Sequence, residues 1–335
     1  MVKIYIDPRA RLVYASYYIQ GLYDLFGRTN VFFNIKYFKD LKHNKNSFDQ
    51  YFAFVLQSNK LLKKVVVDYR DNISIDDTAY SWCDVYGKVN YNLSCSLQYK
   101  DKVVSIGPGF GLKIYSFFYT VWYGIINYLY AYGRIEVNYR RFLSGYIWQF
   151  KRPLYNEYMA CCGDKDYVFF VSSLWLHDNC VINTNVLRAS FIRICKKLLG
   201  NKFDGGLYSQ VKGVEYDKYF DIVYSKYIHP AVYLDKLKKS GVSFNTPAVW
   251  DCHGWKLGEY FALGKAIIST PLSNQMPFPL IHGENIHFVN NEEEICDAVK
   301  KILEDDSYRR KLELGARDYY DCNISPRAVI ERLIL

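Results

Sequence analysis

One stretch of the 335-residue chain gathers residue types that could hold an anion and a sugar together: NTPAVWDCHGWKLGEYFALGKAIISTPL, residues 245–272. It reads as strand, glycine-bearing loop, helix, strand. In an open parallel sheet, ligands lie beyond the strand C-termini and against helix N-termini. The loop offers Asp251, His253, Gly254, Trp255 and Lys256, and Glu259 follows in the helix. Gly254 would let the backbone approach a ligand closely. Free N–H groups at the helix start, together with Lys256, suit a diphosphate. Glu259 could accept hydrogen bonds from sugar or ribose hydroxyls. A capped surface helix would account for Glu259 alone, but not for His, Gly, Trp and Lys in one short loop.

The segment resembles the donor-binding core of group 1 glycosyltransferases of the GT-B fold. That family carries a Glu, seven residues, and a second Glu on a helix reading E-A-x-A-x-G-K-P, followed by a strand ending in Ser or Thr. Glu259 in GEYFALGKAIIST takes the second position, and Asp251, separated from it by seven residues, takes the first as Asp instead of Glu. HGENIHFVNNEEEICDAVKKILEDDSYRRKLELGAR, downstream, is similar to the family's continuation. The likeness covers about residues 245–320 well and 166–200 more weakly.

The resemblance implies an α/β protein of GT-B type, two Rossmann-like domains whose parallel sheets face across a cleft. Residues 1–160 would bind the acceptor, 161–322 the nucleotide-sugar donor, and a helix over 323–335 would cross back to the first domain. It also implies transfer of a sugar from a nucleotide sugar to an acceptor hydroxyl, without a required metal or other cofactor. The chemical demand is stabilisation of the departing diphosphate while positive charge develops on the sugar. Lys256 is the first basic candidate for that task. Arg188 is the second, following a strand that carries Ser173.

Acceptor activation would draw on a carboxylate. Asp7 ends the first strand, Asp68 the fourth, and Asp71 follows in DYRDN; with Asp251 these are the candidate catalytic carboxylates. For each of those in the first half, taken alone, a turn or cap carboxylate is the favoured reading. Retention and inversion of the anomeric centre both stay open.

The elements that must position these residues follow from hydrophobic patterning. VKIYI (2–6), NVFFN (30–34), YFAFVL (51–56), KKVVVD (63–68) and KVVSIG (102–107) read as strands, with a helix over 14–27 between the first two. DYVFFVSSLW (166–175) restarts the pattern, and a domain boundary is expected near 155–165. A helix over 184–200 follows, then strands within 241–247 and 265–271, a helix over 291–303, and a last helix opened by Ser325-Pro326.

Charge is divided unevenly. The formal net charge is +9; residues 1–165 hold 22 Lys and Arg against 13 acids, whereas 166–335 hold 21 of each. The basic half therefore suits an anionic partner. No groove-reading motif accompanies it, so nucleic acid is not expected. Residues 114–133 form a 20-residue run without a charge, IYSFFYTVWYGIINYLYAYG, followed by Arg134, Arg140, Arg141, Lys151 and Arg152. Three readings stay open: a buried core helix, an interfacial helix on an anionic membrane, or a span.

Other motifs carry little. Nine Cys with no C-x-x-C fit a reducing compartment and no zinc site, and the six His show no ligand spacing. Asp164-Lys165-Asp166 reads as a turn, and GPGFG (107–111) lacks dinucleotide-binding spacing. MVKIYIDPRA reads as a strand and not as a secretory signal.

The expectation is thus a cytoplasmic transferase, peripheral on the inner face of the cell membrane. It would build a bacterial surface polysaccharide or glycolipid, such as capsule or lipopolysaccharide, on a glycan or lipid-linked acceptor. The alternative is a catalytically silent module of the same fold that recruits partner transferases to the membrane.

Overall fold

Ile4 and Ile6, both fully buried, place one face of β1 (Lys3–Ile6) in the core, and the fold grows outward from that strand. The computed structural model describes residues 2–43, 48, 50–59, 61–93, 99, 101–209 and 212–335. Residues 1–157, 275–278 and 322–335 form one unit; residues 158–274 and 279–321 form a second.

In the first unit, α1 (Leu12–Phe26), β2 (Val31–Phe33), β3 (Tyr51–Gln57), β4 (Leu62–Asp68), α2 (Asp77–Trp82), β5 (Val85–Lys88) and β6 (Val103–Ser105) follow β1. The sheet order is β2-β1-β3-β4-β5-β6. β1–β2, β4–β5 and β5–β6 pair parallel, but β3 runs antiparallel to both its neighbours, so this sheet is mixed. The cause is chain length: four residues separate β3 from β4, enough for a hairpin and too few for a parallel crossover. β3 is buried from Tyr51 to Leu56, the continuous apolar run of a strand covered on both faces.

The uncharged run 114–133 resolves into α3 (Phe117–Ala131), packed on α4 (Tyr139–Phe150). Two of its three open readings fall. It is not a buried core helix, because Phe117 and Phe118 are 69% exposed and Leu129 65%. Nor, among the described residues, is any helix long and apolar enough to cross a membrane.

The second unit contains β7 (Val168–Ser173), α5 (Asn185–Leu199), β8 (Phe203–Tyr208), α6 (Val214–Lys218), α7 (Pro230–Lys239), β9 (Ser243–Asn245), α8 (Trp255–Ala262), β10 (Ile267–Ser269), β11 (His287–Phe288), α9 (Glu292–Glu304) and α10 (Asp306–Tyr319). Every pairing between these strands is parallel: β7 with β8, and β10 with both β9 and β11. Phe170 on β7, Phe191 on α5 and Phe244 on β9 meet in the core, the last two stacked at 4.5 Å and 3°. Sequence patterning passes over β8 because its FDGGLY holds two glycines. A side chain at Gly205 would drive its Cβ to 2.1 Å from the Phe170 carbonyl oxygen, so close approach to β7 demands glycine.

The chain then ends in α11 (Pro326–Ile334), which belongs to the first unit and packs on α1. Tyr17 Oη donates to the Ile324 carbonyl at 2.6 Å ahead of it.

Candidate functional site

The loop over residues 246–254 lies where three elements of the second unit converge. β7 and β9 present their C-terminal ends, and α8 begins just after the loop that follows β9. Val249–Asp251 form one helical turn in which Trp250 and Asp251 adopt φ of 53° and 57°. Two successive non-glycine residues in the left-handed region are strained, and such strain gathers at ligand-binding segments. Asn179 holds the turn: its Nδ2 donates to the Ala248 carbonyl and to Asp251 Oδ1, each at 2.9 Å. His177 Nδ1 pairs with Asn179 Oδ1 at 2.6 Å and its ring meets Trp250 edge-on at 5.4 Å. Asp251 itself is exposed.

α8 starts at Gly254 without a side-chain cap. Gly254 has φ −80°, a conformation open to any residue, and a Cβ there would meet nothing within 4 Å. Neither backbone geometry nor packing requires glycine at this position. His253 is buried behind it, and Trp255 opens the helix half-buried.

Arg188 extends from α5, 6% exposed, and grips both strand ends. Its Nε donates to Thr246 Oγ1 at 2.9 Å and a terminal nitrogen donates to the Ser173 carbonyl at 3.0 Å. Burial pulls this guanidinium down to about 10, against weaker opposing influences led by Cys180. The Lys256 ammonium donates to the Val171 carbonyl and lies 5.4 Å from the Phe170 ring centroid. Burial, reinforced by the Arg188 charge and opposed by Glu259, brings Lys256 down to about 7. Neither cation forms a salt bridge among the described residues. Glu259 lies in the second turn of α8, 7% exposed, and accepts a hydrogen bond from Tyr158 Oη at 3.2 Å. Lys256 lines a pocket of about 220 Å³ together with Val171, Ser173, Tyr208, Tyr227, Tyr233 and others.

The structure therefore brings Ser173, Arg188 and Lys256 together at the end of β7, with Glu259 on the helix that carries Lys256. Sequence reasoning misses Tyr158, Asn179, Thr246 and the pocket tyrosines. The partners of Thr246 and Tyr158 lie 58 and 101 positions away, and one Tyr among 33 carries no signal of its own.

Asp7 and Asp71 belong to the first unit. Asp7 does not have the surroundings of a general base. It is 1% exposed, Arg9 donates to it with its backbone N and Nε at 2.9 Å and a terminal nitrogen at 2.8 Å, and His43 Nε2 lies 3.3 Å from it. Burial alone would raise its pKa, but His43 and Arg9 outweigh that and hold the carboxyl below the usual range. Asp68 repeats the arrangement with Arg70 and adds Lys88 at 3.1 Å. Both are strand-end clasps, and the Asp-x-Arg spacing in DPR and DYR is the legible sign. Asp71 is exposed. No group of three or more His, Cys, Asp or Glu suited to a metal occurs among the described residues.

No family model and no curated protein matches the chain. Among solved structures it is similar to a mutant of S. aureus TarM in complex with Fondaparinux, alpha-GlcNAc-glycerol and UDP. That match has 12% identity and a TM-score of 0.46, over 79% of this chain and 49% of that one. It is similar to sucrose-phosphate synthase from Thermosynechococcus elongatus at 12% identity and a TM-score of 0.43, over 79% and 65%. It is also similar to the C-terminal domain of the group 1 family glycosyl transferase LpcC from Francisella tularensis, at 14% and 0.35, over 48% and 86%. The match to another TarM structure spans 36% of that chain, so this chain covers well under two thirds of TarM. TM-scores below 0.5 leave the question of function to the chemistry of the residues themselves.

Proposed function

We propose that the chain is a glycosyltransferase that takes a sugar from a nucleotide-sugar donor and places it on an acceptor hydroxyl. One observation carries the reading. Arg188 and Lys256, two cations without an ion-pair partner among the described residues, are directed at the end of one strand beside the uncapped start of α8. Arg188 is buried and Lys256 half-buried; an anion stabilises such cations, and a diphosphate matches their charge. Glu259, with Tyr158 donating to it, is placed on the same helix to receive ribose or sugar hydroxyls. As the bond from the anomeric carbon to the diphosphate oxygen breaks, its electron pair stays on the diphosphate, the acceptor oxygen bonds to that carbon, and the hydroxyl proton passes to the departing diphosphate. Arg188, Lys256 and the first-turn N–H groups of α8 stabilise that charge.

The second unit is the donor half in this reading and the first unit the acceptor half. The acceptor is a lipid-linked glycan of a surface polysaccharide or glycolipid, and the enzyme works peripherally at a membrane. The basic charge of residues 1–165 and the neutral remainder support that division.

A thermal-shift panel of nucleoside diphosphates and nucleotide sugars tests the donor assignment. One base series is expected to raise the melting temperature, since a ligand that binds only the folded state stabilises it. A panel with no shift overturns the assignment.

A further inference from the structure

α3 is built inside out. Its buried positions are Thr120, Gly124, Asn127 and Ala131, small or polar residues one turn apart, while Phe117, Phe118, Val121, Trp122, Ile125 and Leu129 are exposed. A helix on the surface of a soluble protein does the reverse. The orientation is fixed by hydrogen bonds, not left to chance. Gln149 of α4 donates to Thr120 Oγ1 at 3.0 Å and accepts from the Ile114 amide at 2.9 Å, and Asn127 donates to Tyr146 Oη at 2.8 Å. At Gly124 a Cβ would come within 3.2 Å of Leu143, so the two helices approach closely through that residue. Turning α3 over would bury Phe117, Phe118, Trp122 and Leu129, now 53–69% exposed, and break this network.

Charge identifies what covers the face. Residues 113–156 hold six Lys and Arg and one acid, Glu136. Arg140 and Arg141 stand exposed in the first turn of α4, where the helix dipole disfavours cations. Arg140 also donates to Tyr139 Oη at 3.1 Å, and an anionic surface would favour both cations there. Trp and Tyr side chains favour the headgroup boundary, and Lys and Arg beside them favour anionic headgroups. At 15 residues α3 is about 22 Å long, short of the ~30 Å hydrocarbon core, so it lies in the interface instead of crossing it.

We infer that the α3–α4 pair docks the protein on an anionic lipid bilayer, with the outer face of α3 immersed among the headgroups and Arg134, Arg140, Arg141 and Lys151 around it. This inference names the surface behind the membrane part of the proposed function; it rests on the first unit and stands apart from the donor site.

Co-sedimentation with vesicles of phosphatidylcholine, with and without phosphatidylglycerol, tests it. The wild type is expected to sediment with the phosphatidylglycerol vesicles, and high salt to weaken binding. Phe118→Asp with Trp122→Asp is expected to abolish it. Arg140→Gln should weaken it about fivefold, the effect of one basic residue near an anionic surface. Circular dichroism and the nucleotide-induced thermal shift show whether each variant is folded. No sedimentation with either vesicle overturns the inference, as does equal binding to both. A dimer in solution that Trp122→Asp converts to monomer, without vesicle binding, overturns it in favour of a second copy as the occupant. Vesicle binding in a protein that answers no nucleotide supports this inference while removing the transferase reading.

Discussion

Arg188 and Lys256 grip carbonyl oxygens two residues apart on one strand, Ser173 and Val171, and so bring like charges into one corner of the second unit. The arrangement costs stability by itself: the Arg188 charge adds to burial in pulling the Lys256 ammonium down to about 7. A bound diphosphate would reverse that penalty, and most of the expectations below follow from it.

The first concerns pH. Between about 7 and the ordinary lysine value, the unfolded chain holds a proton at Lys256 that the folded chain lacks, so stability should rise with pH across that window. Denaturant titrations of wild type and Lys256→Met check this; the variant should lose that part of the slope. A diphosphate favours the charged form, so nucleotide affinity should fall as pH rises above 7, with proton uptake on binding. Calorimetry in two buffers of different ionisation enthalpy measures that uptake, and none would separate Lys256 from the anion.

Glu259 should act on the donor and not on the fold. Glu259→Gln keeps the shape and the hydrogen-bonding capacity toward Tyr158 but removes the charge. Nucleotide-sugar affinity is expected to fall about tenfold or more, the worth of a hydrogen bond to a charged group. Donor hydrolysis by Glu259→Ala should be lost; if it is retained, Glu259 has no part in the site.

Gly254 separates ligand from structure most cleanly. Its φ of −80° and the open space around it mean that Gly254→Ala should change stability by no more than about 0.5 kcal/mol. The added methyl group would nonetheless stand at the uncapped start of α8, where the proposed diphosphate would lie. Affinity for the nucleoside diphosphate should drop while the melting temperature of the free protein stays put. Unchanged affinity would move the anion away from this helix.

The anion-site reading of the loop can be made from the sequence because its residues are contiguous: Asp251 to Glu259 span nine residues. What holds these residues is not legible there, because Asn179 reaches the loop from a distant part of the chain, Arg188 reaches Thr246 from α5, and Tyr158 reaches Glu259. β8 is hidden by the two glycines that let it lie against β7. Asp7 reads as a free carboxylate when its strand-end position is weighed without Arg9, two residues on. The run 114–133 shows its apolar character in sequence, but which face points outward depends on Gln149 and Tyr146 of another helix.

Calorimetric titration of the nucleoside diphosphate selected by the thermal-shift panel, into wild type, Lys256→Ala and Arg188→Lys, tests the central claim most directly. The account predicts binding to the wild type, weakened about tenfold or more in each variant while circular dichroism reports an intact fold. Wild-type affinity in both variants would contradict it.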